Sequence, residues 1–516
     1  MVRGQEIELN EQFVKALQLM EETKRNVFIT GRAGTGKSTL LNYFRERTKK
    51  NIAVLAPTGV AAVNIKGQTI HSFFNFRPDI TPHTVKEIKP RNRELYKKLD
   101  TIIIDEISMV RADILDCINE FLRLHGKKKT TFGGIQVIFI GDLYQLPPVV
   151  TSREKSLFKE HYKSPYFFDA KVFEDIDMEF IELEKVYRQK DERFLRLLNA
   201  IRNNTISEEE LEELNRRCRP DFVPKNQFYI YLTTTNDLAN KINMERLDNL
   251  KGKEYLYHGY YDGRFTEQDL PAPLELVLKI GAQVMLLNND STGRWINGSM
   301  GKVVDIEKYR DEPDIIWVEL ENGDTVDITP HRWEMYEFTY DRSSKTILSE
   351  VVGTYEQYPL RLAWAITIHK SQGLTFDKVI LDIGRGTFSH GQLYVALSRC
   401  RSLDGLVLRQ PISRRHLLMD RRVVNFITGY QYRLSEKVQP LTEKLSIIEK
   451  AIKEGRPLDI VYLKAKDEKS RRIIIPIESG DMEFNGKTFK GLRAFCVMRN
   501  DERVFNVERI LEVRIC

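Results

Sequence analysis

The sequence predicts an α/β protein interrupted by a small all-β insertion and followed by a separate α+β tail. Three observations carry this. Short, nearly continuous apolar runs at residues 27–29, 53–56, 102–104 and 137–140 alternate with helical patterns over residues 1–185, as the strands of a parallel sheet covered on both faces do. A second pattern of the same kind starts near residue 184, with strands expected at 229–234, 363–366 and 379–381. Inside it, residues 250–353 read as short strands broken by Gly, Asn and Asp, as in a small antiparallel barrel.

The first strand runs into Gly31-Arg32-Ala33-Gly34-Thr35-Gly36-Lys37-Ser38-Thr39. This fits G-x-x-x-x-G-K-[ST] between a strand and a helix start, the setting of a phosphate loop. The glycines let backbone N–H groups curl around a polyanion, and the helix N-terminus adds partial positive charge. Lys37 suits β- and γ-phosphates and Ser38 suits Mg²⁺, while Gly34, Thr35, Gly36 and Thr39 complete the cradle. The domain is therefore expected to be nucleotide-binding and of the RecA type, taking a nucleoside triphosphate with Mg²⁺.

The strand at 102–104 ends in Asp105-Glu106. Hydrolysis needs a metal bridging two phosphates and an oriented water; Asp105 suits the metal and Glu106 the water, as general base. The strand at 137–140 leads into Gly141-Asp142-Leu143-Tyr144-Gln145-Leu146-Pro147-Pro148. Gln145 is placed to touch the γ-phosphate, and a rigid turn is the alternative reading. Residues 77–99 are polar, basic and too long for a simple loop; they read as an excursion with a helix around 82–88. In the second α/β pattern, Arg188 and Arg399 would neutralise a transferring phosphoryl group if the two domains face each other. On the sequence alone, each reads first as a surface salt-bridge residue.

The insertion supplies strands at 276–278, 283–287, 301–304, 315–320 and 325–328. After residue 435 a helix at 442–454 precedes strands at 458–463, 472–477, 491–498, 504–506 and 510–515.

Length and composition set the frame. The 516 residues suggest about three or four domains, and 41% apolar residues suffice for their cores. A net charge of +6 is compatible with a polyanionic partner without demanding one. Cys117, Cys218, Cys400, Cys496 and Cys516 form no C-x-x-C pair, so neither zinc nor a disulfide framework is indicated. Residues 1–8 hold no apolar signal core, and no apolar run approaches the ~18 residues of a membrane span. A cytosolic or nucleoid setting is expected.

The motifs together resemble those of DNA helicases of superfamily one, subgroup B, in the petite-integration-frequency (PIF) family. Ala56-Pro57-Thr58-Gly59-Val60-Ala61-Ala62 and Thr69-Ile70-His71-Ser72-Phe73-Phe74 resemble its first DNA-contacting motifs. Phe132-Gly133-Gly134-Ile135-Gln136, leading to Val149, resembles its signature segment. Ala363-Trp364-Ala365-Ile366-Thr367-Ile368-His369-Lys370-Ser371-Gln372-Gly373-Leu374-Thr375-Phe376 and Gln392-Leu393-Tyr394-Val395-Ala396-Leu397-Ser398-Arg399 resemble its last core motifs. The resemblance spans roughly residues 5–430.

It implies an ATP-dependent 5′-to-3′ DNA helicase in which Lys37, Ser38, Asp105, Glu106, Gln145, Arg188 and Arg399 serve ATP hydrolysis. Gln12 would read the adenine edge, Tyr187 would stack on the base, and Gly373 would join the nucleotide site. Thr58, Gly59, His71, Ser72, Phe73, Thr234, Asn236, Thr367, His369, Lys370 and Ser371 would contact single-stranded DNA. Hydroxyl, His and Lys groups suit a backbone gripped without regard to sequence; Thr and Ser after strands equally cap helices.

The implied domains are RecA-like 1A (1–76 and 100–184), a wedge 1B (77–99), RecA-like 2A (185–250 and 354–435) and an SH3-like barrel 2B (251–353). Arg294-Trp295-Ile296-Asn297-Gly298 resembles an element of the barrel. Residues 436–516 resemble a WYL-type domain that would bind nucleic acid, a ligand or a protein. There Val461-Tyr462-Leu463 replaces the usual triplet, and Arg493, Arg503 and Arg509 are candidate phosphate contacts. Expected partners are single-stranded DNA, single-strand/duplex junctions or G-quadruplex DNA, with no membrane, for a monomeric or weakly self-associating chain. Two alternatives are a RecD-like or conjugative helicase, against which the 132–149 segment speaks, and a nucleotide-switched regulator.

Overall fold

The computed structural model describes residues 9–77, 79–150, 158, 160–189, 191–224, 228–484 and 486–516. The reading of residues 1–8 lies outside them. The chain divides into two compact units, Met1–Leu198 with Glu208–Leu418, and Asn199–Ser207 with Met419–Cys516.

In the first unit, α1 (Glu11–Glu22), capped by Asn10, precedes β1 (Asn26–Gly31) and α2 (Lys37–Arg47). β2 (Ile52–Ala56), α3 (Gly59–Asn64), β3 (Gln68–Thr69) and α4 (Ile70–Phe74) follow. The 77–99 excursion holds a four-residue 3₁₀ turn, Thr84–Glu87, and α5 (Arg93–Lys98), capped by Asn92. The helix expected around 82–88 is thus reduced to that turn, and the true helix starts at the Asn92 cap, a standard start signal. β4 (Thr101–Ile104), α6 (Ala112–His125), β5 (Gln136–Ile140) and β6 (Met178–Leu183) complete a six-stranded sheet of order β3-β2-β4-β5-β1-β6. Its pairings are parallel, and its central strands are buried on both faces, as their unbroken apolar runs require.

α7 (Glu192–Arg202) and α8 (Glu208–Asn215) lead to β7 (Ile230–Thr233) and α9 (Asn236–Asp248). The insertion then supplies β8 (Tyr255–His258), β9 (Tyr260–Gly263), β10 (Glu275–Leu278), β11 (Gln283–Leu286), β12 (Met300–Glu307), β13 (Ile315–Leu320) and β14 (Thr325–Ile328). It closes with β15 (His331–Asp341), β16 (Thr346–Gln357) and β17 (Leu360–Leu362). The antiparallel sheet β14-β13-β12-β11-β17 encloses a core of Val284, Leu286, Val303, Ile316, Val318 and Ile328. Alternating burial along β13 shows one face turned inward.

The chain returns as β18 (Ala365–Thr367), β19 (Val379–Asp382), α10 (Gln392–Ser398) and β20 (Leu406–Leu408), giving a parallel sheet β18-β7-β19-β20.

In the second unit, α11 (Arg421–Val438) and α12 (Leu441–Glu454) accompany β21 (Leu458–Lys464), β22 (Glu468–Phe484), β23 (Lys487–Cys496), β24 (Asp501–Asn506) and β25 (Ile510–Ile515). The strands form an antiparallel sheet β24-β23-β22-β21-β25 over a core including Ile448, Ile460, Ile474, Leu492 and Val513. Arg493 pairs with Glu478 and Arg503 with Asp501 on its surface. No helix among the described residues is long and apolar enough to cross a membrane.

Candidate nucleotide cleft and nucleic-acid track

Strand order brings the expected chemistry together. β4, β5 and β1 are neighbours and parallel, so Asp105-Glu106, the Gly141–Pro148 turn and the phosphate loop leave the same edge of the sheet. Ligands of open α/β sheets bind at that edge. The loop curls through Gly34 and Gly36, with φ of +81° and +85°. A Cβ on Gly34 would stand 2.4 Å from the Cβ of Arg188, so glycine admits that chain against the loop. Thr35 braces the curl by donating to the Arg32 carbonyl, and Ser38 and Thr39 are exposed at the start of α2.

Lys37 donates to the carbonyls of Gly31 (2.7 Å) and Arg32 (3.0 Å). Burial lowers its pKa, against the pull of Asp142, Glu106 and Asp105. The Glu106 N–H donates to Asp105 Oδ1 at 2.9 Å, and Glu106 takes the left-handed region at φ +49°. Burial raises the pKa of both carboxyls; at Glu106 repulsion from Asp105 adds to it, and Lys37 offsets it at both. Asp105, Glu106 and the Ser38 hydroxyl offer oxygen donors of the kind Mg²⁺ takes together with phosphate and water. Among the described residues no group of three or more His, Cys, Asp or Glu could hold a metal without such help.

Gln145 is buried and donates to Asp142 Oδ2 at 3.2 Å, while Asp142 Oδ1 accepts from the Tyr144 N–H. Asp142, for which no role was expected, thus fixes the turn that aims Gln145. Across the cleft, Arg399 is 1% exposed and donates to the carbonyls of Val395, Ser371 and Leu374 and to Ser398 Oγ. Arg188 reaches the carbonyls of Ser398 and Gly373. Burial lowers the pKa of both arginines, and Arg188 adds to it at Arg399. Guanidinium groups stay charged regardless, and neither has a carboxylate within ion-pair distance among the described residues. Gln189 donates to the Ser398 and Cys400 carbonyls, tying the two arginine segments together. The phosphate loop, Glu106, Gln145, Arg188, Gly373 and Arg399 line one cleft of about 1530 Å³. Arg294 and Ile296–Met300 of the insertion border it.

Phe13 lines the cleft with its ring against Gly36, and the adjoining Gln12 accepts from the Glu184 N–H (3.0 Å). Tyr187, 40% exposed, accepts from the Asn10 amide and sends its backbone N–H to the Gly34 carbonyl. Two contacts had no signal in the sequence because their partners lie in the other sheet's domain. The Ala33 N–H donates to Tyr394 Oη at 3.1 Å, and a His390 ring nitrogen lies 3.1 Å from the Leu143 carbonyl.

The expected DNA contacts divide. Thr58 caps α3 on an exposed turn, with Gly59 beneath Asp269. His71 is half-buried, its pKa lowered by burial and then by Arg111, so it is neutral at neutral pH. Ser72 Oγ accepts from the Gln68 amide. Asn236, Thr367 and Lys370 line a second groove of about 620 Å³. Thr234 is buried with Oγ 3.5 Å from the Ile383 carbonyl, and His369 stacks on Phe388. Phe73 and Ser371 present no side chain to a strand. Phe73 is 4% exposed and packs edge-on against Phe74, Tyr96 and Phe338. Ser371 is fully buried and donates to the Ile368 carbonyl.

A family model described as PIF1-like helicase matches residues 8–212, one for the UvrD-like helicase C-terminal domain matches 362–407, and one for the WYL domain matches 443–515. The ATP-dependent DNA helicase Pif1 of Bdellovibrio bacteriovorus is 33% identical over 437 residues, covering 83% of this chain and 93% of that protein. The human ATP-dependent DNA helicase PIF1 is 35% identical over 392 residues, 74% of this chain and 58% of that one. Unliganded Pif1 from Bacteroides sp shares the fold with a TM-score of 0.75 at 39% identity, over 83% of this chain and 98% of that chain. Its complex with single-stranded DNA gives 0.61 at 38% identity, with the same coverage. The two parallel sheets are those of RecA-like domains, and the tail is a WYL domain. At this identity and coverage, the chain belongs to the PIF1-like helicase family and is an ATP-dependent DNA helicase.

Proposed function

We propose that this helicase moves 5′ to 3′ on single-stranded DNA and opens duplex or G-quadruplex DNA by closing and reopening the cleft between its two RecA-like domains. The observation that carries the ATP-driven closure is the cleft itself: phosphate loop and Glu106 on one wall, and on the other two arginines that pair with no carboxylate among the described residues; the 5′-to-3′ sense is the one the family resemblance implies. Incoming ATP gives Lys37 phosphate oxygens in place of its loop carbonyls, and gives Arg188 and Arg399 the anion they lack. Ser38 and Asp105 would hold Mg²⁺, which when bound neutralises β- and γ-phosphate charge. Glu106 takes a proton from the attacking water; Gln145, held by Asp142, senses the γ-phosphate; Gln12 and Tyr187 receive the base.

Strand contacts fall to Thr58, Gly59, His71 and Ser72 on the first domain and to Thr234, Asn236, Thr367, His369 and Lys370 on the second. Residues 77–99 serve as the wedge, 251–353 together with β17 as an SH3-like domain and 436–516 as an accessory module for nucleic acid, a ligand or a protein; the helicase acts as a monomeric or weakly self-associating chain.

Glu106→Gln tests the hydrolytic site. It is expected to bind ATP and single-stranded DNA like the parent and to lower turnover by at least about 100-fold, the contribution of a positioned base. Turnover at the parent rate removes Glu106 from that role.

A further inference from the structure

One half-buried cation beside the strand track has no counter-charge among the described residues. Arg361 stands in β17, opposite Met285 of β11. Its Nη2 donates to the Pro271 carbonyl at 2.9 Å. Its Nε is sealed from solvent and has no hydrogen-bond partner among the described residues. Burial accounts for the lowering of its pKa, with no carboxylate pulling the other way. Lys370 is its neighbour: burial, and then the charge of Arg361, lowers the lysine's pKa. Both line the 620 Å³ groove with Asn236, Asn240 and Thr367. The carboxylates on that groove, Glu267 and Glu275, make no ion pair with either cation among the described residues, and Glu275 faces His258 at 3.8 Å. A buried donor left open next to a second cation is unfavourable unless an anion completes the site.

We propose that Arg361 and Lys370 together seat one phosphate of the bound strand, which makes Arg361 a strand-binding residue outside the motif that supplies Lys370. Asn236, at the N-terminus of α9, adds an amide and the positive end of a helix to the same seat. The inference rests on the strand-track reading above. Arg361 lies on the insertion's sheet, whereas Asn236 and Lys370 belong to the second α/β domain, so a phosphate held between them ties the insertion to the motor while a strand is bound.

The test is binding of a fluorescent oligothymidylate to the full chain over a range of salt, comparing the parent with Arg361→Gln, Arg361→Lys and Lys370→Ala. Glutamine keeps a donor for the Pro271 carbonyl and removes the charge; thermal melting checks the fold, and Arg361→Met stands in should Arg361→Gln melt early. Arg361→Gln is expected to bind several-fold more weakly, with the slope of log K against log salt reduced by about 0.7, one phosphate's share on a single strand. Arg361→Lys is expected to keep the slope. Unchanged affinity and slope in Arg361→Gln, or affinity lost equally in both Arg361 variants at an unchanged slope, overturns the proposal. Loss of binding in Lys370→Ala with none in Arg361→Gln overturns it while sparing the strand-track reading. A parent chain that does not bind the oligomer overturns both.

Discussion

Arg188 and Arg399 lie 211 positions apart in sequence by their numbering, yet one buried glutamine, Gln189, holds both segments through the Ser398 and Cys400 carbonyls. The Arg399 charge is already desolvated before a nucleotide arrives, and that of Arg188 in part, so the gain on meeting phosphate is greater than for an exposed pair. Arg399→Ala is therefore expected to slow single-turnover ATP hydrolysis by about 1,000-fold or more while a fluorescent ATP analogue still binds. Arg399→Lys should recover little, because a lysine cannot reproduce a guanidinium held by several acceptors; full activity in Arg399→Lys would argue against the role. The residues legible in the sequence were those whose chemistry is local: the loop lysine, the acids ending a strand, the glutamine of a turn. Tyr394 and Asp142 were not, since their partners are set by folding. Phe73 was misread despite a usable signal: Ile70, Phe73 and Phe74 share one helical face by their i, i+3, i+4 spacing, and that face is buried.

Among the elements, the buried parallel strands with continuous apolar runs were read to within a residue or two, whereas β3, β6 and β20 were not read. Nor was the long hairpin of β15 and β16. β15 is mostly half-buried on both faces and the first half of β16 is mostly exposed, which erases the alternation that marks a strand over most of the hairpin. Its anchor on the first domain is nevertheless specific. Phe338 packs on Phe73, its N–H reaches Gln68 Oε1 (3.3 Å), Glu337 pairs with Arg91 at 3.1 Å, and the Ile347 N–H reaches Asn51. Phe338→Ala should cost about 3 kcal/mol at this contact. Because a chain of several domains has no single unfolding free energy, the readout is local: hydrogen exchange over 331–357 is expected to quicken by roughly 100-fold, with α2 still protected. Unchanged exchange in the hairpin would show that the aromatic contact does not hold it.

For the whole molecule, domain order was legible because each domain has its own periodicity: continuous strands, then alternating ones, then a helix before a final sheet. How far each domain reaches was less so. Antiparallel pairing of the insertion continues to Leu362, and α11 belongs to the second compact unit. Sequence periodicity marks elements, whereas packing decides which body an element joins. The account's central claim is directional motion along one strand, powered at the cleft and gripped along the track that includes Lys370. It is tested most directly by ATP-dependent unwinding of two duplexes identical except for a 5′ or a 3′ single-stranded tail. The account predicts that the 5′-tailed duplex is opened and the 3′-tailed one is not; opening of the 3′-tailed duplex alone, or of neither, would contradict it.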